Sequence, residues 1–214
     1  MSAAQTAAGP LLAVSGLGKR FGGFVALENI DLTIAEGERV GLIGPNGSGK
    51  STLVNCLCGT LRNETGSILF DGRPLDGLIA HERTRLGLAR SFQLPKPFHT
   101  LNLIDNLRVP LLYTVNARPG HSLSDTDVRA RCEELLQAVA LADKARRLPR
   151  DLTQVEMRKL ELARAVATEP RLLFADEAMA GLSPSEVEEI IAVLLRLNQQ
   201  GITIVLIEHI MRAV

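Results

Sequence analysis

Short apolar runs separated by turn residues dominate the first third of the chain. Leu12 to Val14, Asp31 to Ile34, Arg39 to Ile43 and Ser67 to Phe70 each read as strands, and Gly-Gly, Glu-Gly and Asp-Gly pairs punctuate them. The stretch from Leu11 to about Gly77 is therefore expected to be sheet-rich. From about Leu94 to Leu152 prolines are frequent, and the clearest 3.6-residue period lies in Asp127 to Ala140. There Val128, Cys132, Leu135, Leu136 and Val139 share one face, which predicts a helical region. From Arg171 onward a strand, Leu172 to Ala175, precedes a helix opened by Ser183-Pro184-Ser185-Glu186. Ser183 can cap, Pro184 suits the first helical position and Glu186 can reach back to the cap. Val187, Ile190, Ile191, Leu194 and Leu195 form the expected core face, Gly201 ends the helix, and Ile202 to Ile207 reads as a buried strand. Strand, helix and strand in this order imply a parallel sheet.

Composition narrows the class. The 214 residues are 46% apolar and 22% charged, so the chain is globular and long enough to bury a substantial core. Twenty-four Lys and Arg balance 24 Asp and Glu. No overall field draws the chain to nucleic acid or to an anionic membrane, and no nucleic-acid partner is expected. The 3 cysteines (Cys56, Cys58, Cys132) cannot build a disulfide framework, and the spacing of Cys56 and Cys58 matches neither a redox pair nor a zinc knuckle. A reduced, cytosolic setting fits best. Apolar runs such as Ile202 to Ile207 and Val193 to Leu195 fall far short of the roughly 20 residues that span a bilayer. The first ten residues, MSAAQTAAGP, lack the basic start and apolar run of a secretory signal and read as a disordered tail.

Candidate chemistry begins at Gly44-Pro45-Asn46-Gly47-Ser48-Gly49-Lys50-Ser51-Thr52, which follows the apolar run Val40 to Ile43 and leads into a helix starting near Lys50. Glycines let such a loop curl and turn successive backbone N–H groups inward, while the helix N-terminus adds partial positive charge. Lys50 is placed for the β- and γ-phosphates of a nucleotide and Ser51 for Mg²⁺. A chance glycine-rich turn of this pattern arises in about one of 300 chains of this composition.

A phosphate cradle needs a metal-holding acid at the end of a neighbouring strand, and Leu172-Leu173-Phe174-Ala175-Asp176-Glu177 supplies one. Asp176 is expected in the Mg²⁺ shell, with Glu177 placed to polarise an attacking water. Two acids after an apolar run are also common at ordinary strand ends. Glu208-His209 puts an imidazole at the end of a third strand, where a plain surface histidine is the competing reading.

The order of these pieces resembles the nucleotide-binding subunit of an ATP-binding cassette transporter. Gly44 to Thr52 match the Walker A loop, Arg90-Ser91-Phe92-Gln93 the Q-loop, and Arg158 to Val166 the helix after the signature. Leu172 to Glu177 match Walker B, Ala180-Gly181-Leu182-Ser183-Pro184 the D-loop, and Glu208-His209 the switch histidine. Lys19-Arg20-Phe21-Gly22-Gly23, Ala89-Arg90-Ser91-Phe92-Gln93 and residues 207–214 look most like the ATPases of branched-chain amino acid and related amide uptake systems. The resemblance implies an α/β fold. Residues 11–93 and 163–214 would form a P-loop NTPase core of RecA type, its sheet mainly parallel, with an N-terminal antiparallel β subdomain. Residues 94–162 would be an inserted helical subdomain, and residues 1–10 the tail. It further implies that Phe21 stacks on adenine, that Gln93 reaches Mg²⁺ and water and links the core to the helical subdomain, and that His209 senses the γ-phosphate. ATP with Mg²⁺ would be hydrolysed between two subunits on the cytoplasmic side of the inner membrane. Transmembrane permease subunits are the direct partners, and a periplasmic or extracellular solute-binding protein an indirect one.

One element departs from the family pattern. The family's signature, Leu-Ser-Gly-Gly-Gln or Leu-Ser-Tyr-Gly-Gln, lines up with Leu152-Thr153-Gln154-Val155-Glu156. The resemblance assigns Thr153, Gln154, Val155 and Glu156 to the ATP of the opposite subunit. Thr153 keeps the hydroxyl, but Val155 puts a branched side chain where glycine allows close approach, and Glu156 brings negative charge near a phosphate. Both changes are expected to weaken that contact, so a heterodimer with an intact partner signature is favoured over a homodimer. Ala178 also replaces the usual proline after Glu177. The chain ends 5 residues past His209, and family members continue with a further strand and helix, so a truncated chain is expected. A cassette that binds ATP with little turnover, a soluble cassette of DNA repair or translation, and a small-molecule kinase are the rival readings.

Overall fold

The computed structural model describes residues 9–209. The expected tail therefore lies outside the described residues except for Gly9 and Pro10, which are exposed, and so does the segment 210–214. Two four-stranded sheets are built from eight strands among the described residues. The first is antiparallel, in the order β2-β1-β4-β5: β1 (Leu12–Phe21), β2 (Phe24–Ile34), β4 (Thr65–Phe70) and β5 (Arg73–Pro74). The second is parallel, in the order β3-β8-β7-β6: β3 (Arg39–Ile43), β6 (Leu88–Ser91), β7 (Leu172–Asp176) and β8 (Thr203–Glu208).

Strands β1 and β2 run well beyond the short apolar runs that announce them. Register shifts between Val14 and Leu17 and again around Lys19 absorb the polar and glycine positions. Gly66 of β4 explains part of this. A Cβ there would stand 2.4 Å from the Gly16 carbonyl carbon, so the two strands meet through bare backbone.

Six α-helices complete the described residues: α1 (Lys50–Leu57), α2 (Ala80–Leu86), α3 (Leu103–Pro110), α4 (Asp125–Ala138), α5 (Gln154–Val166) and α6 (Pro184–Gln199). Helix α3 continues into a π turn, Leu111–Val115, closed by the Asn116 N–H donating to the Leu111 carbonyl at 3.4 Å. Helix α1 carries no basic residue in its last turn. Arg83 of α2 supplies the missing charge from outside, donating to the Cys56 and Leu57 carbonyls at 2.7 and 2.9 Å. At α6, the Ser183 N–H and hydroxyl both donate to the Glu186 carboxylate, at 2.8 and 2.7 Å, so Glu186 reaches back to the cap as the sequence spells out.

The two central strands of the parallel sheet, β7 and β8, are buried on both faces, and alternation along them sorts the core into two halves. Leu172, Phe174, Val205 and Ile207 face α1 and the antiparallel sheet. Leu173, Ala175 and Ile204 face α3, α4, α5 and α6. The expected core face of α4 is present, with Val128, Cys132, Leu136 and Val139 buried and Leu135 partly so. On α6 one expectation fails: Leu195 is 39% exposed, while Val193 and Leu197 are buried instead. Leu194 and Leu195 stand about 100° apart on the helix, and the packed stripe follows Ile190, Val193, Leu194 and Leu197. Helix α2 and strand β6 carry no clear sequence signal. Both are short, and β6 places Arg90 in a strand whose burial comes from its neighbour β7.

Phe174 is fully buried at the centre of this arrangement. Phe174→Ala should cost about 3–5 kcal/mol of unfolding free energy, whereas Leu195→Ala should cost less than about 1 kcal/mol. Urea denaturation of both variants checks the contrast.

Candidate active site

The register of the parallel sheet brings the separate motifs to one edge. Ile43 of β3 lies opposite Glu208 of β8, Asp176 of β7 opposite Ile207, and Ser91 of β6 opposite Ala175. All four strands therefore release their next residues at their carboxyl ends, where open α/β sheets bind ligands. The glycine-rich loop, the pair Asp176-Glu177, Gln93 and His209 all emerge there.

The loop from Gly44 to Gly49 is a close-fitted turn. The Ser48 N–H donates to the Pro45 carbonyl at 3.2 Å, and a Cβ on Gly44 would come 2.8 Å from Ser48 Oγ. Gly47 and Gly49 adopt φ of 82° and 90°, and a Cβ on Gly49 would stand 2.7 Å from the Ala26 carbonyl oxygen. Strand β2 thus presses directly on the start of α1, and no residue with a side chain fits at 49. Gly49 is also the N-cap of α1 and offers no side chain to bond the first-turn N–H groups. Lys50 curls back over the loop, donating to the Gly44 carbonyl, to the Pro45 carbonyl at 2.9 Å and weakly to Ser48 Oγ at 3.5 Å. Its ammonium sits among carbonyl dipoles beside the N–H-rich turn, a position from which an anionic phosphate can take it. Asn46 and Ser51 are exposed and Thr52 is half-buried.

Asp176 is only 6% exposed, and its charge is met by a residue whose role the sequence did not single out. Arg90 donates to Asp176 Oδ2 from Nε at 3.1 Å and from Nη2 at 2.5 Å, and to Asn55 Oδ1 at 2.6 Å. Its guanidinium also lies 5.4 Å from the Phe92 ring centroid. No hydrogen bond among the described residues uses Asp176 Oδ1 or the Ser51 hydroxyl. An open carboxylate oxygen and an open hydroxyl beside a phosphate turn are the hard oxygen donors that Mg²⁺ takes together with nucleotide phosphates, so these residues fit the metal. Among the described residues no cluster of three metal-ligating side chains forms a cage of its own.

Glu177 follows in a left-handed backbone conformation, φ 46°, with its N–H donating to the Ile207 carbonyl at 3.0 Å. The Gln93 side-chain amide donates to Glu177 Oε2. Gln93 is thus held against the acid, and its own side-chain oxygen is used by no hydrogen bond among the described residues. His209 Nδ1 is buried without a hydrogen-bond partner among the described residues. Glu208 beside it is buried, and burial pushes its carboxyl above the ordinary range. The Met179 N–H, donating to Glu208 Oε1 at 3.4 Å, opposes that shift, and the nearby Glu177 adds to it.

Phe21 stands at the tip of the β1–β2 hairpin, 50% exposed, with the Lys19 ammonium 5.5 Å from its ring. Its cross-strand partner Phe24 is exposed as well. The strand that carries Phe24 is the one whose Ala26 lies against Gly49, so the aromatic tip belongs to the segment of the antiparallel sheet that packs on the phosphate turn. The cysteines take no part: desolvation pushes Cys58 to about 12 and Cys132 to about 11, so neither is a thiolate at neutral pH.

Residues 153–156 are placed differently. No hydrogen bond among the described residues joins them to the loop 44–52. Thr153 is the N-cap of α5, its hydroxyl accepting from the Glu156 N–H at 3.4 Å while the Glu156 carboxylate accepts from the Thr153 N–H at 2.9 Å. Lys144 donates to the other Glu156 oxygen. Burial raises the Glu156 pKa, but the bonds from Lys144 and Thr153 outweigh it and hold the carboxyl below its ordinary value. The charge at Glu156 is therefore engaged locally, and Val155 is buried against the helical core rather than projecting from the turn. The N–H groups of Gln154 and Val155 have no partner among the described residues. A Cβ on Gly181, in the loop after Glu177, would stand 3.2 Å from Gln154 Nε2, so the two segments lie close together.

A family profile described as ABC transporter matches residues 27–180. The chain is 37% identical over 214 residues to the high-affinity branched-chain amino acid transport ATP-binding protein LivG of Salmonella typhimurium, covering 96% of this chain and 84% of that protein. The ADP conformation of MJ1267, an ATP-binding cassette of an ABC transporter, superposes with a TM-score of 0.83 at 28% identity, over 94% of this chain and 81% of that one. The ATP-binding cassette MJ0796, in a dimeric post-hydrolysis state bound to ADP and Pi, gives a TM-score of 0.81 at 27% identity, over 94% and 89%.

Two substitutions test this geometry. Gly49→Ala meets both a positive φ and the Ala26 carbonyl, whereas Gly47→Ala meets the φ alone, since nothing lies within 4 Å of its Cβ. Gly49→Ala should therefore weaken ATP binding at least tenfold more than Gly47→Ala does in calorimetric titration. For Glu156, the folded-state pKa lies below the ordinary 4.5, so its stabilising contribution is present above that value and fades as pH falls through the folded pKa. The melting-temperature gap between wild type and Glu156→Gln should be fully open at pH 6 and should narrow progressively as the pH is taken below 4.5.

Proposed function

The chain belongs to the ABC transporter family as an ATP-hydrolysing subunit, and we propose that it drives an importer of branched-chain amino acids or related compounds. Identity to LivG across nearly the whole chain supports the solute class. The single observation that carries the catalytic reading is the convergence of Lys50, Asp176, the Gln93–Glu177 pair and His209 at one sheet edge. Each chain residue then has a task. The loop N–H groups and the Lys50 ammonium bind and orient the β- and γ-phosphates, with Phe21 stacked on the base. Glu177, directed by Gln93, orients the attacking water and draws its proton, and His209 offers a ring nitrogen to the γ-phosphate. Bound through Ser51, Asp176 and the Gln93 oxygen, Mg²⁺ would neutralise charge building on the β- and γ-oxygens.

Family ATPase subunits work with membrane permease components and dimerise, and no helix among the described residues is long and apolar enough to cross a membrane. The finer reading is a head-to-tail pair with ATP between the protomers. Thr153 to Glu156 would face the partner's nucleotide, at the cytoplasmic face of the cell membrane beside two permease subunits, with a solute-binding protein outside. The free N–H groups of Gln154 and Val155 at the start of α5 support an anion contact without the signature glycines. The Thr153 hydroxyl and N–H are taken up by the cap, which supports a weaker site than a full signature makes, and hence a heterodimer in which the partner supplies the stronger turn.

The test is ATP hydrolysis with co-purified membrane subunits. Lys50→Ala should abolish nucleotide binding. Glu177→Gln should keep binding but slow turnover at least a hundredfold and accumulate closed dimer on size exclusion. Hydrolysis at the wild-type rate by Glu177→Gln sinks the assignment of the acid.

A further inference from the structure

Glu177 occupies a conformation that a residue with a side chain adopts only under constraint, φ 46°. The turn that follows must hold it there. The Glu177 N–H is fixed by the Ile207 carbonyl at 3.0 Å, and the Ala180 N–H closes the turn on the Glu177 carbonyl at 3.1 Å. Between them, the Met179 N–H points to Oε1 of Glu208 at 3.4 Å. From the other side Arg158 of α5 donates to the Ala180 carbonyl, also at 3.4 Å.

Glu208 is a costly choice for its place. It is 3% exposed at the end of β8, close to the charges of Glu177 and Asp176, and forms no salt bridge among the described residues. A buried carboxyl without an ion partner disfavours folding, and an apolar side chain would pack the site better. The one hydrogen bond that its carboxyl makes among the described residues goes to the turn carrying the catalytic acid. We propose that Glu208 is a positioning residue for hydrolysis: its buried carboxyl pins the Met179 N–H and thereby locks the turn 177–180 so that Glu177 faces the water. Strand β8 then grips the turn twice, at Glu177 through the Ile207 carbonyl and at Met179 through this side chain, while presenting His209 as the next residue. The inference rests on the assignment of Glu177 to the water.

Glu208→Met and Glu208→Gln, compared in the full chain with its membrane subunits, test it. Methionine fills a similar volume without a comparable acceptor, whereas glutamine keeps an oxygen that can take the Met179 N–H. Glu208→Met should lower kcat at least tenfold with the KM for ATP within twofold, because the phosphate loop is untouched, and Glu208→Gln should recover kcat to within threefold of wild type. A merely structural role predicts a lower melting temperature with kcat unchanged. Wild-type kcat in Glu208→Met, or a loss in Glu208→Gln as deep as in Glu208→Met, overturns the proposal. Should Glu208→Met not fold, a tenfold fall in Glu208→Gln alone overturns it. Wild-type hydrolysis by Glu177→Gln is a separate result that removes the catalytic acid itself.

Discussion

The active edge exists because four parallel strands pair in one register, and that register is held by the burial of the central strands β7 and β8 on both faces. Leu172 and Phe174 belong to one half of the core and Leu173 and Ala175 to the other. A slip of one residue along β7 would exchange the two sets and drive side chains shaped for α1 and the antiparallel sheet toward α5 and α6. The same slip would move Asp176 off Ile207 and carry the acids out of line with the phosphate loop and His209. Catalytic alignment is thus a by-product of core packing several residues away from the chemistry.

Once the edge is assembled, its charges need partners that its own motifs do not contain. Asp176 is buried beside Glu177 and Glu208, and Arg90 from the neighbouring strand offsets it through two bonds to one carboxylate oxygen. Removing one partner of a buried pair costs about 3–5 kcal/mol, since the other charge is left uncompensated. Using a single oxygen for Arg90 keeps the second available to a cation, so the structural and catalytic roles of Asp176 coexist. Asn55 of α1 accepts from the same guanidinium, which links the helix after the phosphate loop to the strand before Gln93.

The turn at Thr153 shows how local chemistry can stand in for a lost pattern. Without glycines, the start of α5 is organised by a reciprocal cap and by Lys144, and the branched residue at 155 is absorbed into the core. What remains is a helix start with two N–H groups, of Gln154 and Val155, that have no partner among the described residues, the backbone feature on which an anion contact depends.

By itself the chain's sequence determined those features that depend on near neighbours. The phosphate loop is legible because glycines at 44, 47 and 49 answer a backbone demand written into a few consecutive residues, and the α6 cap because Ser183 and Glu186 meet within one turn. The strand bearing Asp176 and the strand leading to His209 announced themselves as nearly continuous apolar runs, which is what burial on both faces requires. Only the tertiary structure decided the pairs made across the fold. Arg90 with Asp176, Arg83 with the end of α1, Glu208 with Met179 and Lys144 with Glu156 are separated by 12 to 86 positions. Nothing in local periodicity marks which buried charge meets which dipole, because that choice is made by the sheet register and helix packing that bring distant segments together.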